Sequence, residues 1–107
     1  MKPSKISRLT KNLFEAILAL ETPAEAKNFF RDLCTVDELK EMSERWEIVK
    51  LLNKDWPYRK IAKKLQISTT TVSRVALWLY NGTGGYQSML KRLNHHHKPT
   101  PSGKGLR

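Results

Sequence analysis

The stretch from Tyr58 to Leu77 constrains the fold most, because its apolar spacing describes two short helices that cross at a tight turn. Apolar residues recur at helical intervals on both sides of the turn, so one small core can bury them together. They are Ile61, Ala62, Leu65, Ile67, Val72 and Val75. The pattern predicts a helix-turn-helix over residues 58–79, with Ser68 as the N-cap of the second helix. Gln66 is off pattern, because many such motifs put glycine at that turn residue, which often has a left-handed backbone.

The side chains left outside this core are polar and basic. Short hydroxyls and a guanidinium suit base edges in a major groove, and the cations of the first helix suit phosphates. The predicted DNA-binding residues are Tyr58, Arg59, Lys60, Lys63, Lys64, Ser68, Thr69, Thr70, Thr71, Ser73 and Arg74. The alternative is an ordinary helical hairpin with a solvated basic face. Spacing, capping and charge together favour the motif.

The excess positive charge is concentrated on the motif. The whole chain carries a net charge of +10, and from Lys54 to Arg74 basic residues outnumber Asp55, the single acidic one, by six to one. This pattern is typical of a surface that binds phosphate. Carboxylates cluster instead between Thr35 and Glu47. The separation of signs argues against a uniformly basic membrane-surface peptide.

Several other classes of protein are disfavoured by the composition. Cys34 is the single cysteine, which excludes an intrachain disulfide and a cysteine-rich zinc site, and we expect a cytoplasmic protein. No apolar run reaches the roughly 20 residues of a membrane span. No paired carboxylates lie in an apolar setting, and a nucleophile elbow and a phosphate-binding loop are absent, so we expect neither an enzyme nor a cofactor. The run His95 to His97 lacks a scaffold, and no metal site is expected.

Helical periodicity extends through the rest of the chain, without any strand signal. Thr22 and Thr35 are each followed three residues later by Glu, which predicts two helix starts with capping boxes. Glycines in the segment 82–85 should end the second motif helix. We expect an all-α fold of about six helices. Its predicted parts are a flexible basic arm (1–8), a helical DNA-binding and dimerisation domain (9–93) and a disordered basic tail (94–107).

The first two helices carry more large apolar side chains than a small motif can cover. Soluble monomers rarely expose such a surface, so we expect it to pair with a second copy of the chain. The predicted dimer-interface residues are Leu13, Phe14, Ile17, Leu18, Phe29 and Phe30.

With this order of helices, the chain resembles the Trp repressor superfamily, and most closely its YerC/YecD-type branch. The resemblance covers Leu9 to Leu93, and its most specific part is the Gly-rich segment that ends in Tyr86 shortly after the motif. The segments that carry it are 30–35, 44–46, 58–74 and 79–86. It implies an intertwined homodimer with paired DNA-binding heads, and a sequence-specific transcription regulator that acts as a repressor on double-stranded DNA.

The resemblance also implies a pocket for a small effector. Trp repressor holds tryptophan between two arginines, and the matching positions here are Arg45 and Arg74, with Thr35 at a polar pocket position. Two positions that are small in that family carry Val75 and Trp78, which should occupy the space of an indole. We therefore expect no response to tryptophan, while a smaller anionic effector between the two arginines stays open.

Two other functions stay open beside the regulator. One is a sequence-tolerant nucleic-acid-binding or architectural module, in which the basic helix contacts phosphates and the hydroxyl face reads little sequence. Arg74 distinguishes this module from the sequence-specific regulator, because it is the one outward long donor able to make a bidentate contact with guanine. The other is a structural adaptor that uses the apolar helices for a protein partner.

Overall fold

The computed structural model describes residues 5–96, and the side chains of residues 7–94, as a succession of α-helices. No strand occurs within this range, in agreement with the predicted all-α class. The chain divides into two compact units, Met1–Glu41 and Met42–Arg107. The helices are α1 (Lys5–Leu18), α2 (Pro23–Leu33), α3 (Val36–Asn53), α4 (Tyr58–Leu65), α5 (Thr69–Asn81) and α6 (Gly85–His96).

The predicted capping box at Thr35 forms in full, whereas at Thr22 only one half forms, because the Glu25 carboxylate accepts from the Glu21 N–H at 2.9 Å instead of from the Thr22 N–H. The Thr22 side chain accepts a hydrogen bond from the Glu25 N–H at 3.1 Å, and Pro23 is the first residue of α2. At the start of α3 the bonding is reciprocal: the Glu38 N–H donates to Thr35 Oγ1 at 3.0 Å, and the Thr35 N–H donates to Glu38 Oε1 at 2.9 Å. These bonds satisfy backbone donors that a helix start leaves free.

The first unit has no buried core of its own. None of the residues 7–41 is buried, although α1 and α2 carry several large apolar side chains. Phe14 is 55% exposed and Leu18 is 84% exposed. Phe29 and Phe30 are half-buried and meet edge to face, with ring centroids 5.6 Å apart. Leu13 and Ile17 are also half-buried, so a single chain leaves all six predicted interface residues at least partly accessible.

The second unit contains the hydrophobic core. Residues of α3, α4 and α5 meet there, and α6 adds Tyr86 and Leu90 at its edge. Trp46 of α3 lies beside Tyr86, with ring centroids 6.3 Å apart. The buried residues are Ile48, Val49, Leu51, Leu52, Ile61, Ala62, Val72, Val75, Ala76 and Leu79. Four of the six residues predicted for the motif core are among them, and Leu65 and Ile67 pack half-buried against the cluster.

Two turns in this unit end their helices in the same way. Asp55 has φ 64° after α3, and Gln66 has φ 59° after α4, so both residues are left-handed without being glycine. The following residue donates back into the helix each time: the Trp56 N–H to the Leu51 oxygen at 3.2 Å, and the Ile67 N–H to the Ala62 oxygen at 3.0 Å. This pattern is a Schellman motif. Gln66, which stands where many such motifs have glycine, thus adopts the left-handed backbone itself.

The helical segments are longer at both ends than predicted. The predicted arm 1–8 includes four residues of α1, which begins at Lys5, because no helix breaker follows Pro3. At the other end α6 continues to His96, so the predicted tail starts inside a helix; the next proline is Pro99. The remaining residues of the arm and tail, 1–4 and 97–107, lie outside the described range.

Candidate nucleic-acid interface

The N-terminus of α5 is held by a side-chain cap. Ser68 Oγ accepts a hydrogen bond from the Thr71 N–H at 3.1 Å, and the hydroxyl oxygens of Ser68 and Thr71 lie 3.0 Å apart. Both hydroxyls are therefore engaged in the cap, and Thr71 is half-buried. The cap gives a fixed first turn to the exposed Thr69 and Thr70, which are the better placed of the four hydroxyls to meet a ligand.

Beyond the first turn, α5 has one buried and one exposed face. Val72, Val75, Ala76 and Leu79 point into the core. The outer side is polar in the first half of the helix, and it exposes Leu77, Trp78 and Tyr80 in the second half. Within the described range no ion pair engages Arg74, whose guanidinium is exposed beside Ser73. Short hydroxyls and an unpaired guanidinium on a rigid, exposed helix face match the donors and acceptors of base edges. The exposed polar positions are Thr69, Thr70, Ser73 and Arg74.

The preceding helix supplies the positive charge. Arg59, Lys60, Lys63 and Lys64 are all exposed, and the first turn of α4 contains no acidic residue. Because residues four apart share a helix face, these cations form two rows, one with Arg59 and Lys63 and one with Lys60 and Lys64. Tyr58 is also accessible, at the first position of α4. The structure thus places the predicted cations on a helix that packs directly against α5.

One row of cations lies over an aromatic ring outside the predicted motif. The Lys60 ammonium lies 4.2 Å from the centroid of the Trp56 ring, and the Lys64 ammonium lies 5.9 Å from it. Both distances are within the usual range of cation–π contacts. The spacing 56, 60, 64 is the available sequence signal, but α4 begins only at Tyr58, so helical periodicity alone does not place Trp56 on that row.

The three residues implied as an effector pocket are each exposed in the single chain. The Thr35 hydroxyl is occupied by the α3 cap, while Arg45 on α3 and Arg74 on α5 are exposed. Val75 is buried in the core, whereas Trp78 is 62% exposed in the single chain. That these two side chains occupy the space of an indole stays a prediction.

Other sites receive little support from the described part of the chain. There, no grouping of His, Cys, Asp and Glu is arranged to hold a metal ion. Of the histidine run, two residues lie in the last turn of α6, and His97 is beyond the described range. No described helix has the length and apolar character required to cross a bilayer.

Comparison with known proteins gives consistent matches. A family model for the Trp repressor protein matches residues 8–94. The uncharacterised protein YerC of Bacillus subtilis (strain 168) is 37% identical over 81 residues, which are 76% of this chain and 78% of YerC. A TrpR-like protein from Eubacterium eligens ATCC 27750 superposes with a TM-score of 0.78 at 40% identity, over 81% of this chain and 90% of that one. The crystal structure described as a putative Trp repressor from Staphylococcus aureus superposes with a TM-score of 0.76 at 37% identity, over 85% of this chain and 95% of that one.

Proposed function

Because this chain belongs to the Trp repressor family, we propose that it is a sequence-specific DNA-binding regulator that represses transcription as a homodimer. In this proposal α5 enters the major groove and α4 contacts the phosphate backbone. The observation that carries it is the exposed face of Thr69, Thr70, Ser73 and Arg74, held by a capped helix beside the cations of α4. Rigid support of this kind positions base-contacting groups before DNA arrives.

The homodimer is supported by the first unit. Residues 7–41 bury no side chain, yet Leu9, Phe14, Leu18 and Leu33 are each about half exposed or more. Apolar area removed from water contributes roughly 25 cal/mol per Å², so these side chains gain most by covering one another across two chains. A two-fold dimer would present two α5 helices to half-sites about 34–36 Å apart on one side of the DNA.

A second candidate function rests on the charge. With two rows of exposed cations on α4, the protein could hold phosphates of any sequence, as an architectural module does. The two functions differ in what Arg74 does. A base contact from Arg74 creates a preference among sequences, whereas a phosphate contact does not.

Two alanine variants separate these functions. Arg74→Ala should lower affinity for the specific site by about 1–3 kcal/mol and leave affinity for random duplex nearly unchanged. Lys63→Ala should weaken both complexes similarly and reduce the salt slope by about one unit. Fluorescence anisotropy over a range of salt concentrations measures all four complexes. Equal losses on specific and random duplex for Arg74→Ala would favour the architectural module.

A further inference from the structure

We propose that Trp56 is a positioning residue whose indole ring holds the ammonium group of Lys60, and less closely that of Lys64, in place to receive a phosphate. The inference rests on the proposed DNA-binding function. It adds to that function an aromatic residue that lies outside the helix-turn-helix and makes no base contact in the proposed complex.

The turn after α3 determines where the indole lies. Asp55 is left-handed, and the Trp56 N–H reaches back to the Leu51 oxygen at 3.2 Å. In a Schellman motif the residue at this position packs against the helix it follows, and Trp56 is half-buried against the core cluster. The ring is thus anchored by both its backbone and its apolar contacts, and it offers a fixed surface to α4.

Lys60 and Lys64 are one turn apart and share this surface. Their ammonium nitrogens lie 4.2 Å and 5.9 Å from the ring centroid, so Lys60 is the closer partner. Neither lysine is in an ion pair with any side chain of the described range. The ring therefore attracts the cations through its electron-rich face without neutralising them, as a carboxylate would.

This difference matters for binding a polyanion. A free lysine loses side-chain freedom when it binds a phosphate, and that loss opposes association. A lysine already confined by an indole has lost part of that freedom, and it still carries its full charge. Arg59 and Lys63, on the other row, have no aromatic partner among the described residues and serve as an internal comparison.

A double-mutant cycle on duplex binding tests the inference. Trp56→Leu should weaken binding of a short duplex about two- to tenfold, and Trp56→Phe, which keeps a ring, should weaken it less. Lys60→Ala should cost less affinity in the Trp56→Leu background than in the wild type. Lys63→Ala is the matched control, and its cost should be the same in both backgrounds. Circular dichroism of each variant verifies that the fold is retained.

A second measurement reports the contact without DNA. Protons held over an indole face resonate upfield, so the side-chain methylene signals of Lys60 should be shifted in the wild type and return towards ordinary positions in Trp56→Leu. The Lys63 signals should not change. Ordinary Lys60 shifts in the wild type would overturn the inference, and so would additive effects of Trp56→Leu and Lys60→Ala. Failure of the wild type to bind any duplex would instead overturn the proposed function, and the inference with it.

Discussion

Within residues 5–96, the backbone of two residues with a side chain, Asp55 and Gln66, departs from the conformation that most side chains prefer. Both are left-handed, at φ 64° and 59°, in turns that orient α4 relative to its neighbours in the second unit. A residue with a Cβ pays roughly 1–2 kcal/mol for this conformation. The backbone hydrogen bonds that Trp56 and Ile67 donate to the preceding helices help to stabilise this left-handed conformation.

Gln66→Gly should therefore stabilise the protein. Glycine removes the left-handed strain, but it also gives the unfolded chain more freedom, worth about 0.4–1 kcal/mol. The net expected gain in unfolding free energy is up to about 1 kcal/mol. Urea denaturation with an unchanged m-value measures it. Gln66→Val is the matched control and should lower stability, since a β-branched residue tolerates this conformation poorly. A stabilised valine variant would contradict the assignment of strain.

Tryptophan should not act as an effector of this protein. Val75 is packed in the core, and adding an indole beside it would overfill a dense site at a cost of about 1–3 kcal/mol. Trp78 is exposed in the single chain and adds further bulk one turn beyond Arg74. Calorimetry with millimolar L-tryptophan should show no saturable heat, and duplex affinity should stay unchanged. If L-tryptophan bound at micromolar concentration and raised the affinity for DNA, the Val75 side chain would have to move aside, and the prediction would be wrong.

At the scale of elements, the junction between α5 and α6 depends on a close backbone approach. The Gly82 N–H donates to the Trp78 oxygen at 2.9 Å, and the Gln87 side chain donates to the Leu79 oxygen at 2.8 Å. These bonds satisfy two of the carbonyls that the end of α5 leaves free. A Cβ on Gly82 would lie only 2.3 Å from the Trp78 oxygen, so the turn requires glycine there.

Gly82→Ala should thus destabilise the protein by about 1–3 kcal/mol, because the added methyl meets backbone atoms that cannot move independently. Gly85→Ala is the matched control. Its Cβ would meet nothing within 4 Å, and alanine at a helical position gains up to about 1 kcal/mol over glycine. Thermal unfolding of both variants measures the difference. A neutral Gly82→Ala would mean that α6 can shift away without loss.

The helices were largely predictable because several of them begin at residues whose side chains form local capping hydrogen bonds. Thr22 and Thr35, with their glutamates, mark α2 and α3 by hydrogen bonds within four residues, and Ser68 does the same for α5. Two helix ends were misjudged. Apolar periodicity marked the middle of α1 and of α6, and it did not predict that α1 begins at Lys5 or that α6 continues to His96.

The candidate site was less predictable where it depends on tertiary packing. Periodicity predicted which face of α5 is buried, since Val72 and Val75 belong to one apolar stripe. It did not predict that Trp56 lies under Lys60, because the turn at Asp55 carries the ring there. Nor did periodicity predict that Trp78 is 62% exposed in the single chain, one turn beyond Arg74.

At the scale of the whole molecule, the two units differ in whether they contain a hydrophobic core that can stabilise them in a single chain. The second unit has a closed core, whereas residues 7–41 have no buried side chain. Light scattering at micromolar concentration should therefore give twice the mass of one chain, and the melting temperature should rise with protein concentration. Leu18→Lys, on the apolar face of α1, should dissociate the dimer, and Asn12→Lys on its exposed polar side should not. A stable wild-type monomer would contradict the dimer.

The central claim is sequence-specific binding by a symmetric pair of α5 helices, and selection of binding sites from a random duplex library tests it most directly. We predict enrichment of a two-fold symmetric motif with half-sites about one helical turn apart. The preference for that motif over random duplex should be lost in Arg74→Ala. Recovery of no common motif, with wild type and Arg74→Ala retaining all sequences equally, would contradict it.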